Sequence, residues 1–323
     1  MTTSRTRHLV DPELLPFLDM LPALVLSDEV LPEMRARSFP MPVDPDSIEK
    51  VDLQRRMIPG PAGAPEVEVH IFTPKQASGA RPAILHIHGG GYVGGSAEGV
   101  EAALRPTAAD IDCVIVSVNY RLAPETRFPG AVEDCYAALA WLFESAAELG
   151  VDTARLAVKG ESAGGGLAAA LALLARDRGE YRLAFQCLTY PMLDDRTCVT
   201  KTPNPQTGEF LWTPHNNHYG WKALLGVEPG SAGVSAYAAP ARAEDLAGLP
   251  PTFIATTTLD IFVDENIDYA ERLIRAGVAC ELHIYPGGFH AFDIAPGPAI
   301  SAAARRDTLE ALRRALWPGS VSV

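Results

Sequence analysis

Two glycines flank a serine at a spacing of two on either side in Gly160-Glu161-Ser162-Ala163-Gly164, between the apolar run RLAVK and the Ala/Leu-rich stretch GLAAALALLARD. A sharp strand-to-helix turn forces the central residue into strained backbone angles and brings neighbouring chain very close. Any side chain larger than hydrogen is then excluded two residues before and after. Such a turn would expose the Ser162 hydroxyl at a helix N-terminus, whose dipole favours the negative charge that develops in acyl transfer. About 0.1 accidental matches to this pattern are expected in a chain of this composition. The bland alternative is a serine that merely caps the helix that follows.

Nucleophilic chemistry at a hydroxyl also needs a site for the oxyanion and a base. His88-Gly89-Gly90-Gly91 follows the run PAILHI, and a glycine-rich loop there can present bare N–H groups to a tetrahedral intermediate. Gly90 and Gly91 are the expected donors, joined by the N–H of Ala163, and His88 is read as holding the loop's shape. No G-x-x-x-x-G-K-[ST] is present at this first turn, which argues against a phosphate cradle. Of the eight histidines, only His290 lies in a glycine-rich loop just past the last apolar strand, in YPGGFHAF. It is the expected base; His283 is read as packing along a strand, and His215 and His218 as surface residues within reach of substrate. The acid that orients the base is expected after the preceding strand, where Asp260 comes directly off TFIATTT and Asp264 reads as the N-cap of the next helix.

These residues need a common scaffold. From about residue 82 short apolar runs alternate with helical stretches, the pattern of a parallel sheet covered on both faces. Expected strands are 82–88, 113–120, 155–160, 183–190, 252–258 and 281–286. Helices are expected near 97–110, 130–148, 163–178, 265–276 and 300–316. Two earlier runs, 51–58 and 67–74, joined by PGPAGAPE, read as an antiparallel hairpin on one edge. The reading is therefore an α/β fold with a mostly parallel sheet of about eight strands, occupying residues 46–323.

Two segments break the alternation. Residues 1–45 carry seven prolines among apolar residues and read as short broken helices forming an N-terminal cap segment. Residues 192–244 separate two strands by too long a stretch for a plain loop, and their aromatic and histidine cluster reads as a cap insertion over the site. Within it Trp212 and Tyr219 are candidate substrate-binding residues.

With 27 basic and 40 acidic side chains the formal charge is −13, which disfavours nucleic acid and anionic lipid. No apolar run is long enough to suggest a membrane span, so no stable membrane anchoring is expected. The start, MTTSRTRHLVDPELLP, lacks an apolar stretch before a small-residue cleavage site, so a cytoplasmic protein is expected. Five cysteines without CxxC or Cys/His spacing signal neither disulfides nor zinc, and read as packing residues. No metal site is expected.

With these residues in place, the chain resembles the bacterial hormone-sensitive-lipase-like family of carboxylesterases, within the α/β-hydrolase superfamily. The resemblance covers about residues 82–295 and rests on HGGGYVGGS, VNYRLAPETRFPGAVEDCYAAL, GESAGGGLAAAL, YPMLDD and FHAF. It implies an α/β-hydrolase fold with a helical cap and a cofactor-free esterase acting on small esters with short acyl chains. The family triad falls on Ser162, Asp260 and His290, in the chain order that fold imposes, and its oxyanion donors on Gly90, Gly91 and Ala163. The resemblance also allows a homodimer formed through an edge strand or the final helix. The chain departs from the family at Asp260-Ile261-Phe262, where Asp-Pro-Leu is frequent, at His290-Ala291 in place of His-Gly, and at Glu161 in place of aspartate. None of these deletes a reacting group. A deacetylase, amidase or lactonase would use the same groups, and a ligand-binding protein on an inactive hydrolase scaffold would normally have lost one of them.

Overall fold

A computed structural model describes residues 4–36, 43–76, 79–202 and 204–319. Eight strands form one sheet: β1 (Val51–Ile58), β2 (Val67–Pro74), β3 (Arg81–Ile87), β4 (Val114–Asn119), β5 (Val151–Glu161), β6 (Phe185–Thr189), β7 (Thr252–Thr257) and β8 (Cys280–Tyr285). Their spatial order is β1-β2-β4-β3-β5-β6-β7-β8. The hairpin β1–β2 joins β4 antiparallel, and the other neighbours are parallel.

Every residue of β3 is buried, as expected for a central strand covered on both faces. Alternation then divides its side chains. Ala83, Leu85 and Ile87 join one apolar cluster with Val132, Leu139, Leu167 and Tyr269, while Ile84 joins a second with Leu104, Ala108, Leu312 and Leu316. Helices Gly130–Glu144, Ala163–Arg178 and Val263–Arg275 thus cover one face, and Glu101–Ile111 and Ala299–Leu316 the other. The helix behind Ser162 is buried all round from Ala163 to Ala175, because its glycines and alanines let chain approach on every side. Full burial of each of its leucines contributes on the order of 2 kcal/mol. Gly179, at φ 71°, ends it in a left-handed cap that a Cβ would penalise.

The strands lie where the apolar runs place them, with one extension. β5 begins at Val151 rather than at 155, because Val151 pairs with Arg81 across a register shift, a contact no local pattern encodes. The helical stretch expected over 130–148 breaks at Ser145 into Gly130–Glu144 and Ala146–Leu149. The five cysteines are free thiols, Cys113 and Cys187 fully buried among apolar neighbours. Among its described residues the N-terminal segment holds short helical pieces, among them Leu15–Met20 and Leu31–Ala36. Residues 1–3 and 37–42 of the expected cap segment lie outside the described residues. The insertion after β6 contains the helix Pro214–Leu225. No helix among the described residues is long and apolar enough to cross a membrane.

Candidate active site

Ser162 stands between β5 and the helix Ala163–Arg178 with φ 56° and ψ −122°, a conformation that residues with a Cβ rarely adopt. Its surroundings leave no room for larger neighbours. A Cβ on Gly160 would sit 2.2 Å from the carbonyl oxygen of Gly164, and one on Gly164 would sit 2.1 Å from that of Ile87. The Ser162 N–H donates to Thr189 O at 2.9 Å, tying the turn to the end of β6.

His290 approaches from the loop after β8. Its Nε2 is 2.9 Å from Ser162 Oγ and its Nδ1 is 2.6 Å from Asp260 Oδ2. Since a carboxylate only accepts, Nδ1 carries the proton and Nε2 is left to face the hydroxyl. The other Asp260 oxygen accepts from the Phe262 N–H at 3.1 Å, which fixes the carboxylate. Rings of Tyr190, Phe262 and Trp212 surround the imidazole, at centroid distances of 4.8, 5.4 and 6.1 Å. Ser162, Asp260 and His290 are 6%, 1% and 6% exposed, so the line of hydrogen bonds is shielded from bulk water. Asp264 does not cap the next helix as its position suggested. That helix starts at Val263, with Phe262 in the cap position, so Asp264 lies one residue inside its first turn, where the helix dipole favours it.

Gly90 and Gly91 take φ values of 122° and 62°, in the left-handed half of conformational space open to glycine. Among the described residues the N–H groups of Gly90, Gly91 and Ala163 donate to no backbone acceptor. Each belongs to a peptide plane pinned from behind through its carbonyl. Gly89 O accepts from His88 Nδ1 at 2.8 Å, Gly90 O from the N–H groups of Val93 and Gly94 at 3.1 and 2.9 Å, and Ser162 O from those of Gly166 and Met192, both at 3.0 Å. A fixed carbonyl fixes the N–H on the far side of the same rigid plane, so all three donors are preorganised. Burial holds the His88 imidazole down at about 4, and it stacks on Tyr120 with centroids 4.3 Å apart. A neutral ring with its proton on Nδ1 follows. Burial likewise holds His86 well below the usual imidazole range; its Nε2 bonds Glu161 Oε2 at 2.9 Å, and Lys159 pairs with the same carboxylate.

Above the serine, Trp212 lies against the oxyanion loop: a Cβ on Gly91 would sit 2.1 Å from its Cη2. Tyr219 reaches the N-terminal segment. Its hydroxyl donates to Asp28 Oδ1 at 2.8 Å, linking the helix Pro214–Leu225 to the N-terminal segment. Asn216 makes the same link, accepting from Leu26 N–H and donating to Leu24 O, both at 2.9 Å, with His215 bonding Leu26 O at 2.8 Å. His218 pairs with Glu228 at the surface, and His283 with Glu281 along β8. Composition and spacing gave no sign of Tyr190 and Asn216, whose contacts join segments more than a hundred residues apart. Among the described residues no cluster of three or more His, Cys, Asp or Glu side chains could hold a metal ion.

A family model described as the α/β-hydrolase fold matches residues 84–294. The esterase LipI of Mycobacterium tuberculosis is 36% identical over 289 residues, covering 87% of each chain. The carboxylesterase NlhH of the same organism is 34% identical over 314 residues, covering 95% of this chain and 96% of the relative. Among solved structures, a bacterial heroin esterase superposes with a TM-score of 0.89 at 42% identity, over 96% of this chain and 99% of its own.

Proposed function

This chain belongs to the α/β-hydrolase family, in its hormone-sensitive-lipase-like branch, and from that premise we propose that it is a serine carboxylesterase hydrolysing short-chain esters through an acyl-enzyme. The observation that carries the reading is the unbroken line from Asp260 through His290 to Ser162, at 2.6 and 2.9 Å, beside three preorganised N–H groups.

In this mechanism Ser162 Oγ attacks the ester carbonyl while His290 Nε2 takes its proton. Negative charge that grows on the carbonyl oxygen is met by the N–H groups of Gly90, Gly91 and Ala163. Each such donor contributes about 3 kcal/mol to transition-state stabilisation. The tetrahedral intermediate collapses, its carbon–oxygen bond to the alcohol breaks, and the imidazolium returns its proton to the leaving oxygen. Water then attacks the acyl-serine with His290 again as base, and release of the acid restores the hydroxyl. Asp260 keeps the proton on Nδ1 and stabilises the transient imidazolium.

Hydrolysis of nitrophenyl acetate, butyrate and decanoate by the wild type and by Ser162→Ala tests the reading. Turnover of the short esters by the wild type alone is expected. Equal turnover by the variant would remove the nucleophile, and binding without turnover by the wild type would remove the enzyme.

A further inference from the structure

Behind the imidazole lies a set of polar side chains that this chemistry leaves unused. Tyr190, the first residue after β6, has a φ of 34°, and its N–H donates to Ala255 O at 2.6 Å. Its ring meets the His290 imidazole edge-on, at 61° and 4.8 Å between centroids. Its hydroxyl donates to Asp293 Oδ1 at 2.7 Å, across 103 residues of sequence. Asp293 sits in the 3-10 turn Phe292–Ile294 that follows His290, and its own carbonyl accepts from Arg305. Tyr190 is 3% exposed; burial first, then the Asp293 charge, push its phenol well above the ordinary range, so it is a neutral donor.

The loop around His290 needs such a hold. Ala291 lies in the left-handed region at φ 61°, an unfavourable choice for a residue with a Cβ, so contacts outside the loop must impose it. Asp260 fixes one ring nitrogen and so the rotation of the imidazole, but not the height of the backbone that carries it. The Tyr190–Asp293 bond ties the turn that follows the histidine to the end of β6. We propose that Tyr190 is a positioning residue that holds His290 over Ser162, its hydroxyl docking the turn after the histidine through Asp293 and its ring edge limiting the swing of the imidazole. The inference rests on the serine-esterase reading above.

The test uses the purified full-length enzyme and nitrophenyl butyrate. Tyr190→Phe, which keeps the ring, should lower kcat about tenfold with KM within about twofold, since small misplacements of a reacting group act on the chemical step. Asp293→Leu should do the same. The double variant should be no worse than either alone, because both remove one bond. Asp293→Asn retains an acceptor oxygen and should recover most of the rate, whereas a merely structural role would lower stability and leave kcat and its rescue unmoved. A kcat for Tyr190→Phe within about twofold of wild type, or losses that multiply, would overturn the proposal. Asp293 is half-buried, so its leucine variant reads the same bond if Tyr190→Phe folds poorly, and full kcat there overturns the proposal by itself. Ser162→Ala in the same assay separates the two claims. A rate retained there removes Ser162 as nucleophile and with it the serine-esterase reading, while a silent Ser162→Ala beside a fully active Tyr190→Phe sinks only the positioning role.

Discussion

At Gly164 one added methyl group would lie 2.1 Å from the carbonyl oxygen of Ile87, because the two main chains already touch there; at Asn216 the chain is held by one side-chain amide that reaches Leu24 and Leu26. The floor of the site, from β5 to the loop after β8, is built of main chain packed against main chain. The N-terminal segment and the insertion after β6, its roof in the proposed reading, meet it through a few main-chain bonds, such as Asp11 N–H to Gly287 O and Gly208 N–H to Leu259 O, and through many side-chain tethers. Glu209 accepts from the N–H groups of Arg5 and Thr6, and Arg35 bonds Val93 O, Ala123 O and Glu125. A floor of this kind holds reacting atoms within tenths of an ångström, because packed interiors barely deform. A roof of polar tethers can be loosened one bond at a time.

The largest effect should come from the floor. Asp260→Asn should lower kcat for nitrophenyl butyrate about 10⁴-fold, because the amide favours the wrong tautomer of His290, with the unfolding midpoint little changed. Retention of more than a tenth of the rate would show that another group orients the histidine. Gly164→Ala should lose about 3 kcal/mol of stability in urea unfolding together with activity, since the strand end and the elbow must separate. A variant of wild-type stability would mean that the floor yields where it is expected to be stiff.

The roof should respond more gently. Asn216→Ala removes the partners of a buried N–H and a buried carbonyl, and should cost about 1–3 kcal/mol in stability while kcat stays within about threefold. A collapse of kcat instead would move Asn216 from roof to floor. The smallest effect belongs to Glu125, whose carboxyl is held at about 2, chiefly by its hydrogen bonds from Arg35. An unfolded glutamate titrates near 4.3, so the lowered folded value contributes stability above about pH 5 that disappears as pH falls towards 2. The pair is exposed, so Glu125→Gln should cost under about 1 kcal/mol at pH 7 and nothing near pH 2. Parallel urea titrations at both pH values read that difference; no cost at pH 7 would assign the tether to the guanidinium's carbonyl contacts alone, and a cost that persists at pH 2 would show that the carboxylate's charge is not its source.

The same division governs what could be read from the sequence. Floor residues announce themselves because a turn that tolerates only hydrogen at two positions leaves Gly160 and Gly164 in the sequence, and β1 and β2 fall on the two runs that PGPAGAPE joins. Asp260 and His290 were legible from their places after β7 and β8. Roof residues carry no such mark. Nothing local distinguishes Glu209 or Asn216 from any polar side chain, and nothing local marks the bond from the Tyr219 hydroxyl to Asp28. Tyr190 falls between the two cases. It stood inside the expected strand 183–190, but its left-handed backbone and its bond to Asp293 depend on the loop after β8.

Convergence of Ser162, His290 and Asp260 on one reacting carbon is most directly tested by acid-quenching the enzyme during turnover of nitrophenyl butyrate and mapping the adduct by peptide mass spectrometry. A butyryl group on the peptide containing Ser162, absent from His290→Ala, is the expected result. Turnover with the acyl group on another residue, or with Ser162 never modified under single-turnover conditions, would contradict it.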